Sequence, residues 1–248
     1  MADKPKRASE YKPEQVELVR AACLYVATKL GDMMDDLVII GGLVPSLLID
    51  HDALAADVIP HVGTMDLDVG LQIALLNEGR YRQLTERLRD AGFAMDSNEA
   101  GNPTRQRWAI IAPGLACAFR DRQQTTLRGT TLFGEKATRD VWVAGAGAYV
   151  VLKALAFDSR GENKDAYDLY YVVRNFGGGP ADVAASLHPL LDDPEAERAL
   201  TVLQRDFSEL DAVGPMRVAA FVTGGRDDEL QADVVAFVDQ LLANVGAG

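Results

Sequence analysis

The spacing of apolar positions changes near residue 145, and that change predicts two kinds of structure. Before it, short apolar runs such as Leu37–Ile40 and Met65–Ile73 alternate with stretches at helical spacing such as Pro13–Leu30. From Gly147 onward, helical spacing dominates. The pattern predicts an α+β chain, with a small mixed β-sheet core and flanking helices followed by a C-terminal helical bundle.

This reading divides the chain into a flexible tail (1–12), an α/β core (13–145) and a helical domain (146–248). The predicted strands are Leu37–Ile40, Met65–Ile73, Phe93–Asp96, Arg107–Ile111 and Leu115–Asp121. The predicted helices are Pro13–Leu30, Leu43–Asp50, Asn77–Asp90, Ala148–Ser159, Lys164–Phe176, Ala181–Leu191, Pro194–Leu210, Pro215–Val222 and Asp227–Val245.

Composition is that of an ordinary globular protein, with 48% hydrophobic and 25% charged residues among 248. No apolar run approaches the length of a membrane span, and the charged N-terminus lacks an apolar signal region. We therefore expect a cytoplasmic protein without membrane contact. Cys23 and Cys117 lie in apolar contexts, which favours buried thiols over a disulfide.

The net charge of −12 argues against nucleic-acid binding by the whole surface, but the charge is unevenly distributed. Residues 80–139 hold ten Arg and one Lys against six acids, a local charge of +5. The favoured interpretation is a solvated helix face with a few strand-edge charges. The functional alternative is a basic surface for RNA or a nucleotide triphosphate.

Gly41 and Gly42 follow the first predicted strand and open a short helix. Backbone N–H groups without side chains can approach phosphates closely, and a helix N-terminus favours an anion. Taken alone, the pair is better explained by a tight turn that needs positive φ.

Asp66 and Asp68 lie one residue apart on the second predicted strand, which places both carboxylates on one face. Such a pair can bind a hard divalent cation, and we expect Mg²⁺. The alternative is that both acids are solvent-exposed at the end of a strand and bind nothing, and the apolar flanking residues argue against it.

Lys153 interrupts the apolar helix V-V-L-K-A-L-A-F and needs a partner or an exposed flank. Asp165 and Asp168 are three residues apart, so they are adjacent on one helix face. Asp165 could also simply interact with a helix dipole. The three histidines have no metal-ligand spacing, and we interpret His61 as a loop residue rather than a substrate contact.

Together these segments resemble the nucleotidyltransferase toxins of abortive-infection (AbiE-type) toxin–antitoxin systems, within the polymerase-β-like nucleotidyltransferase superfamily. The resemblance rests on Gly41-Gly42, on T-M-D-L-D at Thr64–Asp68, on L-K-A-L-A-F and on R-G-E-N-K-D-A-Y-D-L-Y-Y from Arg160. It covers roughly residues 35–175, and the last segment is its most specific part.

The resemblance implies transfer of NMP from an NTP to RNA, tRNA acceptor ends among them, and a separately encoded antitoxin. It implies a Mg²⁺ site, with two ions possible. The implied roles are metal ligation by Asp66 and Asp68, triphosphate binding by Gly41 and Gly42, charge stabilisation by Lys153, and a nucleotide-proximal motif of Lys164, Asp165 and Asp168.

One expected residue is missing from this pattern. The superfamily usually has a third carboxylate on a neighbouring strand, where this chain aligns Ala118. Asp121 lies three residues later and on the opposite face of an ideal strand, although a bulge could bring it round. Two alternatives therefore stay open: a transferase for a small molecule such as an antibiotic, and an inactive relative that binds nucleotide or protein.

Overall fold

The computed structural model describes residues 5–50, 54, 58–71, 78–92 and 113–246. Its helices are α1 (Pro13–Leu30), α2 (Pro45–Leu48), α3 (Glu78–Asp90), α4 (Leu115–Arg120), α5 (Ala146–Arg160), α6 (Asn163–Asn175), α7 (Pro180–Leu187), α8 (Pro194–Phe207), α9 (Val213–Val222) and α10 (Asp228–Gly246). Its strands are β1 (Leu37–Ile40), β2 (Asp68–Leu71), β3 (Arg122–Thr130) and β4 (Lys136–Ala144).

The four strands form one mixed sheet in the order β2-β1-β4-β3. β1 pairs antiparallel with β2 and parallel with β4, and β3 pairs antiparallel with β4. The mixed α/β character and the small mixed sheet confirm the coarse fold prediction. The helices predicted after Gly147 are confirmed as α5 to α10 with small shifts at their ends.

The prediction of a strand at Leu115–Asp121 is wrong, because this segment forms helix α4. A short apolar run does not by itself distinguish a buried strand from a buried helix. The β3–β4 hairpin was not predicted. Most of its side chains are exposed, so it lacks the apolar alternation that marks a half-buried strand. The predicted strands Phe93–Asp96 and Arg107–Ile111 lie outside the described residues.

A single cluster of buried apolar side chains extends from Val19 in α1 to Leu241 in α10. Within it, α5 packs against α4, α6, α7 and α8. Cys23 and Cys117 belong to this core as free, buried thiols. The sheet and the helical part thus share one core, although the sequence pattern separates them.

The segment predicted as a flexible tail is described from residue 5, and it carries a short 3₁₀ turn at Ala8–Glu10. The Tyr11 ring then packs 6.0 Å from the Phe221 ring in α9. Among the described helices, none has the length and apolar character needed to cross a membrane.

Candidate nucleotide-binding site

The turn after β1 is the point where the predicted phosphate and metal residues meet. β1 pairs with β2 so that Ile40 lies opposite Asp68. Gly41 has φ +73°, and a Cβ there would lie 2.1 Å from Asp68 Oδ2. A Cβ on Gly42 would lie 2.9 Å from Thr64 Oγ1 and 3.3 Å from Lys164 Nζ. Both glycines are therefore required, because polar side chains from two other segments pack directly against the turn.

The prediction that Asp66 and Asp68 share a strand face is wrong, because β2 begins only at Asp68. Asp66 lies in a bend that Thr64 closes: its Oγ1 accepts the Asp66 N–H and donates to the Asp66 carbonyl, both at 3.2 Å. Such local side-chain bonds compete with strand pairing. Both carboxylates are exposed at the surface, one in this bend and one at the start of the strand.

Side chains of helices α5 and α6 form a buried charge cluster next to the Gly41–Gly42 turn. Lys153 Nζ lies 3.0 Å from Asp165 Oδ1 and 2.7 Å from Asp168 Oδ2. Lys164 Nζ lies 2.7 Å from Asp168 Oδ1 and 2.9 Å from Oδ2. Arg160 forms two bonds to Asp165, at 2.6 and 2.8 Å. Three cations thus face two carboxylates, and the cluster has a formal charge of +1 at neutral pH.

The two lysines of this cluster differ in their surroundings. Burial opposes the charge on Lys153, but Asp168 and Asp165 outweigh it and raise its pKa. Burial also acts on Lys164, where the single bonded carboxylate of Asp168 does not compensate, and the pKa is lowered. Lys164 is nevertheless the more exposed side chain, at 19% against 9%. It is therefore the lysine of the pair that adjoins Gly42 and can meet an anion.

The two carboxylates remain ionised although burial raises the pKa of each. For Asp168, Lys153 and Lys164 outweigh burial and hold the pKa well below its usual range. For Asp165, the bonds from Arg160 and the charge of Lys153 have the same effect. Asp168 therefore holds both lysines in place, and Asp165 holds Lys153.

His61 also belongs to the cluster. The sequence pattern indicates only a loop residue at this position and does not predict its contact with Asp168. Its side chain is fully buried, and Nε2 lies 2.9 Å from Asp168 Oδ1. Its ring stacks on Tyr167, with centroids 5.3 Å apart. Tyr11 was also missed, and Lys164 Nζ lies 5.5 Å from the centre of its ring. Neither residue has a sequence motif that could have found it, because both contacts join distant parts of the chain.

Asp121 occupies a different place from the predicted third carboxylate. Its Oδ2 accepts the Ala148 N–H at 2.8 Å, in the first turn of α5. The N-cap of that helix is Gly145, which has no side chain to accept such a bond. Asp121 also precedes β3, and among the described strands β3 and β2 lie at opposite edges of the sheet. A Cβ on Gly145 would lie 2.0 Å from Asp121 Oδ1, so the Asp121 carboxylate lies against the end of β4 and the start of α5.

Several arginines of the 80–139 stretch are used within the fold. Arg80 and Arg87 pair with Asp32, and Arg80 also pairs with Asp36. Arg120 pairs with Asp192. Arg105 and Arg107 lie outside the described residues, while Arg122 and Arg128 are on β3. The local excess of positive charge thus does not form one continuous surface within the described part of the chain.

Among the described residues there is no group of three or more His, Cys, Asp or Glu side chains arranged to hold a metal ion. Comparisons with protein-family models, with curated proteins and with solved structures find no match to this chain.

Proposed function

We propose that this protein is a Mg²⁺-dependent nucleotidyltransferase that moves an NMP from an NTP to an acceptor hydroxyl. One observation carries the proposal: Asp68, Thr64 and Lys164 converge on the Gly41–Gly42 turn. Carboxylate, backbone N–H groups and a lysine at one turn are the groups needed to bind a metal–triphosphate complex.

Mg²⁺ suits the carboxylates because it retains several waters and takes one or two protein carboxylates besides phosphate oxygens. Asp66 and Asp68 would hold it, with a second ion possible. When bound, it would neutralise charge on the transferred phosphoryl group and the leaving pyrophosphate. The N–H groups of the turn would orient the triphosphate, and Lys164 would offset its charge. Lys153 would act indirectly, because it bonds to Asp165 and Asp168 and holds their carboxylates in place.

For the acceptor, we propose RNA, with tRNA among the candidates, and a toxin role countered by a separate antitoxin in the cytoplasm. The RNA acceptor, the toxin role and the antitoxin are proposed from the resemblance of Thr64–Asp68 and Arg160–Tyr171 to the AbiE-type transferases. Arg128 on β3 is exposed and could serve as a cationic contact, whereas Arg122 already donates to the Asp35 carbonyl and stacks on Trp142; further arginines lie outside the described residues.

The direct test incubates the purified protein with each labelled NTP, Mg²⁺ and total RNA. Transfer of label is expected with at least one NTP. The Asp66→Ala/Asp68→Ala double variant should lose both transfer and Mg²⁺-dependent NTP binding measured by calorimetry. Asp239→Ala, which removes an exposed carboxylate of α10, is the control and should behave as wild type. Unchanged NTP affinity in the double variant would contradict the proposal.

A glycine pair tests the turn itself. Gly41 and Gly134 have similar backbone angles, φ +73° and +83°, but a Cβ on Gly134 would meet nothing within 4 Å. Both alanine variants should therefore carry a backbone cost of about 1–2 kcal/mol. Only Gly41→Ala should also lose NTP binding, because it displaces the Asp68 carboxylate. Equal NTP affinity in the two variants would argue against a nucleotide at this turn.

The position of Asp121 favours a second candidate, a nucleotide-binding protein without transfer activity. Asp121 is the acid that the sequence offers as a third carboxylate, and it bonds to the start of α5 instead. The same incubation separates the two functions: this candidate gives Mg²⁺-dependent NTP binding that requires Asp66 and Asp68, with no label on RNA.

A further inference from the structure

His61 connects the segment that carries the two exposed carboxylates to the buried charge cluster. It lies three residues before Thr64 and seven before Asp68, in the stretch that leads into β2. Its side chain is fully buried and bonds across 107 residues to Asp168 in α6. The same Asp168 carboxylate holds Lys164, whose Nζ adjoins Gly42. The Asp168 carboxylate thus connects Lys164, which lies next to the Gly41–Gly42 turn, to the segment that carries Asp66 and Asp68.

The hydrogen bonds of His61 determine its tautomer. The Gly63 N–H donates to His61 Nδ1 at 3.0 Å. A backbone N–H can only donate, so Nδ1 carries no proton. The proton of the neutral ring is therefore on Nε2, where it donates to Asp168 Oδ1 at 2.9 Å. Each ring nitrogen has a defined partner, which fixes the ring orientation.

The surrounding residues keep the segment in register with α6. The His61 ring stacks on Tyr167 and meets the edge of Tyr171, with the second pair of centroids 4.9 Å apart. On the other side, Gly63 lies against α1, and a Cβ there would be 2.0 Å from Val16 Cγ2. Residues 61–63 are thus enclosed between α1 and α6, and the chain leaves this point towards Thr64 and Asp66.

We propose that His61 is a positioning residue that sets the placement of Asp66 and Asp68 relative to Lys164. It acts through the bond from Nε2–H to Asp168, while the bond from the Gly63 N–H to Nδ1 fixes which nitrogen carries the proton. Its catalytic consequence rests on the proposed nucleotidyltransferase function, while its effect on the segment itself does not.

Two substitutions separate the bonds. His61→Gln can place an amide N–H near the Nε2 position and keep the bond to Asp168. His61→Asn places an oxygen near the Nδ1 position and keeps the Gly63 bond, but its side chain ends short of Asp168. The loss of a bond to a charged group corresponds to about a tenfold to hundredfold effect. We therefore expect His61→Asn to weaken Mg²⁺–NTP binding by that factor and His61→Gln to remain within about threefold of wild type.

Two further measurements distinguish positioning from loss of folding. Both variants should still unfold in one cooperative transition, with His61→Asn melting several degrees lower because it loses a bond to a buried charge. Hydrogen exchange over residues 62–69, followed by mass spectrometry without any ligand, should rise in His61→Asn and stay near wild type in His61→Gln. Equal exchange in the three proteins would overturn the proposal, as would a parallel loss of NTP binding and melting temperature in both variants.

The exchange measurement also keeps the two proposals distinguishable. If wild type binds no NTP, the nucleotidyltransferase proposal fails, and exchange over residues 62–69 still decides the role of His61. Histidine-selective ¹⁵N NMR gives a direct check, because the chain has three histidines and His61→Gln identifies one signal. A proton on Nδ1 at neutral pH would overturn the assigned bonds.

Discussion

At the scale of single residues, the buried cluster separates two lysines that look equivalent in the sequence. Both bond to Asp168, but Lys153 also bonds to Asp165 and is enclosed, while Lys164 adjoins the Gly41–Gly42 turn. A lysine inside an apolar helix suggests chemistry when seen in sequence alone. Its partners in the structure indicate that Lys153 stabilises the cluster, whereas Lys164 is the lysine that lies against the turn.

The role of Lys153 can be measured by stability. Lys153→Met leaves Asp165 with Arg160, and Asp168 with Lys164 and His61, so two buried carboxylates lose a cation. Removing one partner of a buried ion pair typically costs roughly 3–5 kcal/mol, and we expect a loss of that size in urea unfolding.

The control for this substitution is Arg226→Ala, which breaks exposed pairs to Asp211 and Asp228 and should leave the unfolding free energy close to that of wild type. If Lys153→Met keeps its unfolding free energy but loses NTP transfer, the lysine acts chemically and the structural assignment fails.

At the scale of elements, the start of α5 explains why Asp121 is not where an active-site acid was expected. The helix begins after Gly145, and the missing cap is supplied by the carboxylate of Asp121 at the end of α4, ahead of the β3–β4 hairpin in the chain. Burial raises the pKa of Asp121, and the N–H groups of Ala148 and Gly147 act in the opposite direction. Asp121 thus stabilises the N-terminus of α5, the helix that carries Lys153 and Arg160.

We expect Asp121→Ala to cost about 1–2 kcal/mol of unfolding free energy, as for the loss of a helix cap. The transfer rate per folded molecule should remain unchanged. Asp193→Ala is the matched control, since Asp193 caps α8 by accepting the Glu195 N–H at 3.0 Å.

The two variants should therefore lose similar stability and keep the same rate. A fall of about 10²–10⁴ in rate for Asp121→Ala alone would identify Asp121 as a general base and show that the sheet register has been misread.

At the scale of the whole molecule, one core connects the sheet to the helical part. Val38 and Ile39 of β1 belong to the same buried cluster as Val150 of α5 and Leu203 of α8. The charge cluster lies within this packing, on α5 and α6. Its protonation is therefore linked to unfolding of the molecule as a unit.

This linkage predicts a loss of stability in mild acid. Burial lowers the pKa of His61 from 6.5 to about 4, even though Asp168 acts to raise it. The unfolded chain therefore binds the proton first, and stability falls as the pH drops from about 6.5 to about 4. The lowered pKa values of Asp165 and Asp168 add stability that is present above about pH 4 and lost as the pH falls through their folded values.

The contribution of His61 should be on the order of 3 kcal/mol between pH 7 and pH 4. Urea unfolding across that range measures it, and His61→Gln should show a flatter dependence by about that amount. Parallel curves for the two proteins would mean that His61 is not buried as a neutral ring.

The sequence alone determined the helical second part, the first strand and the Gly-Gly turn, because these depend on local spacing and local turn chemistry. Only the tertiary structure decided that Asp66 leaves the strand, that Asp121 caps α5 and that His61 reaches Asp168. The first depends on a side-chain bond from Thr64, and the other two on contacts across 27 and 107 residues. Periodicity reports which face of an element is buried, but not which distant element covers it, and the charge cluster is built from such distant contacts.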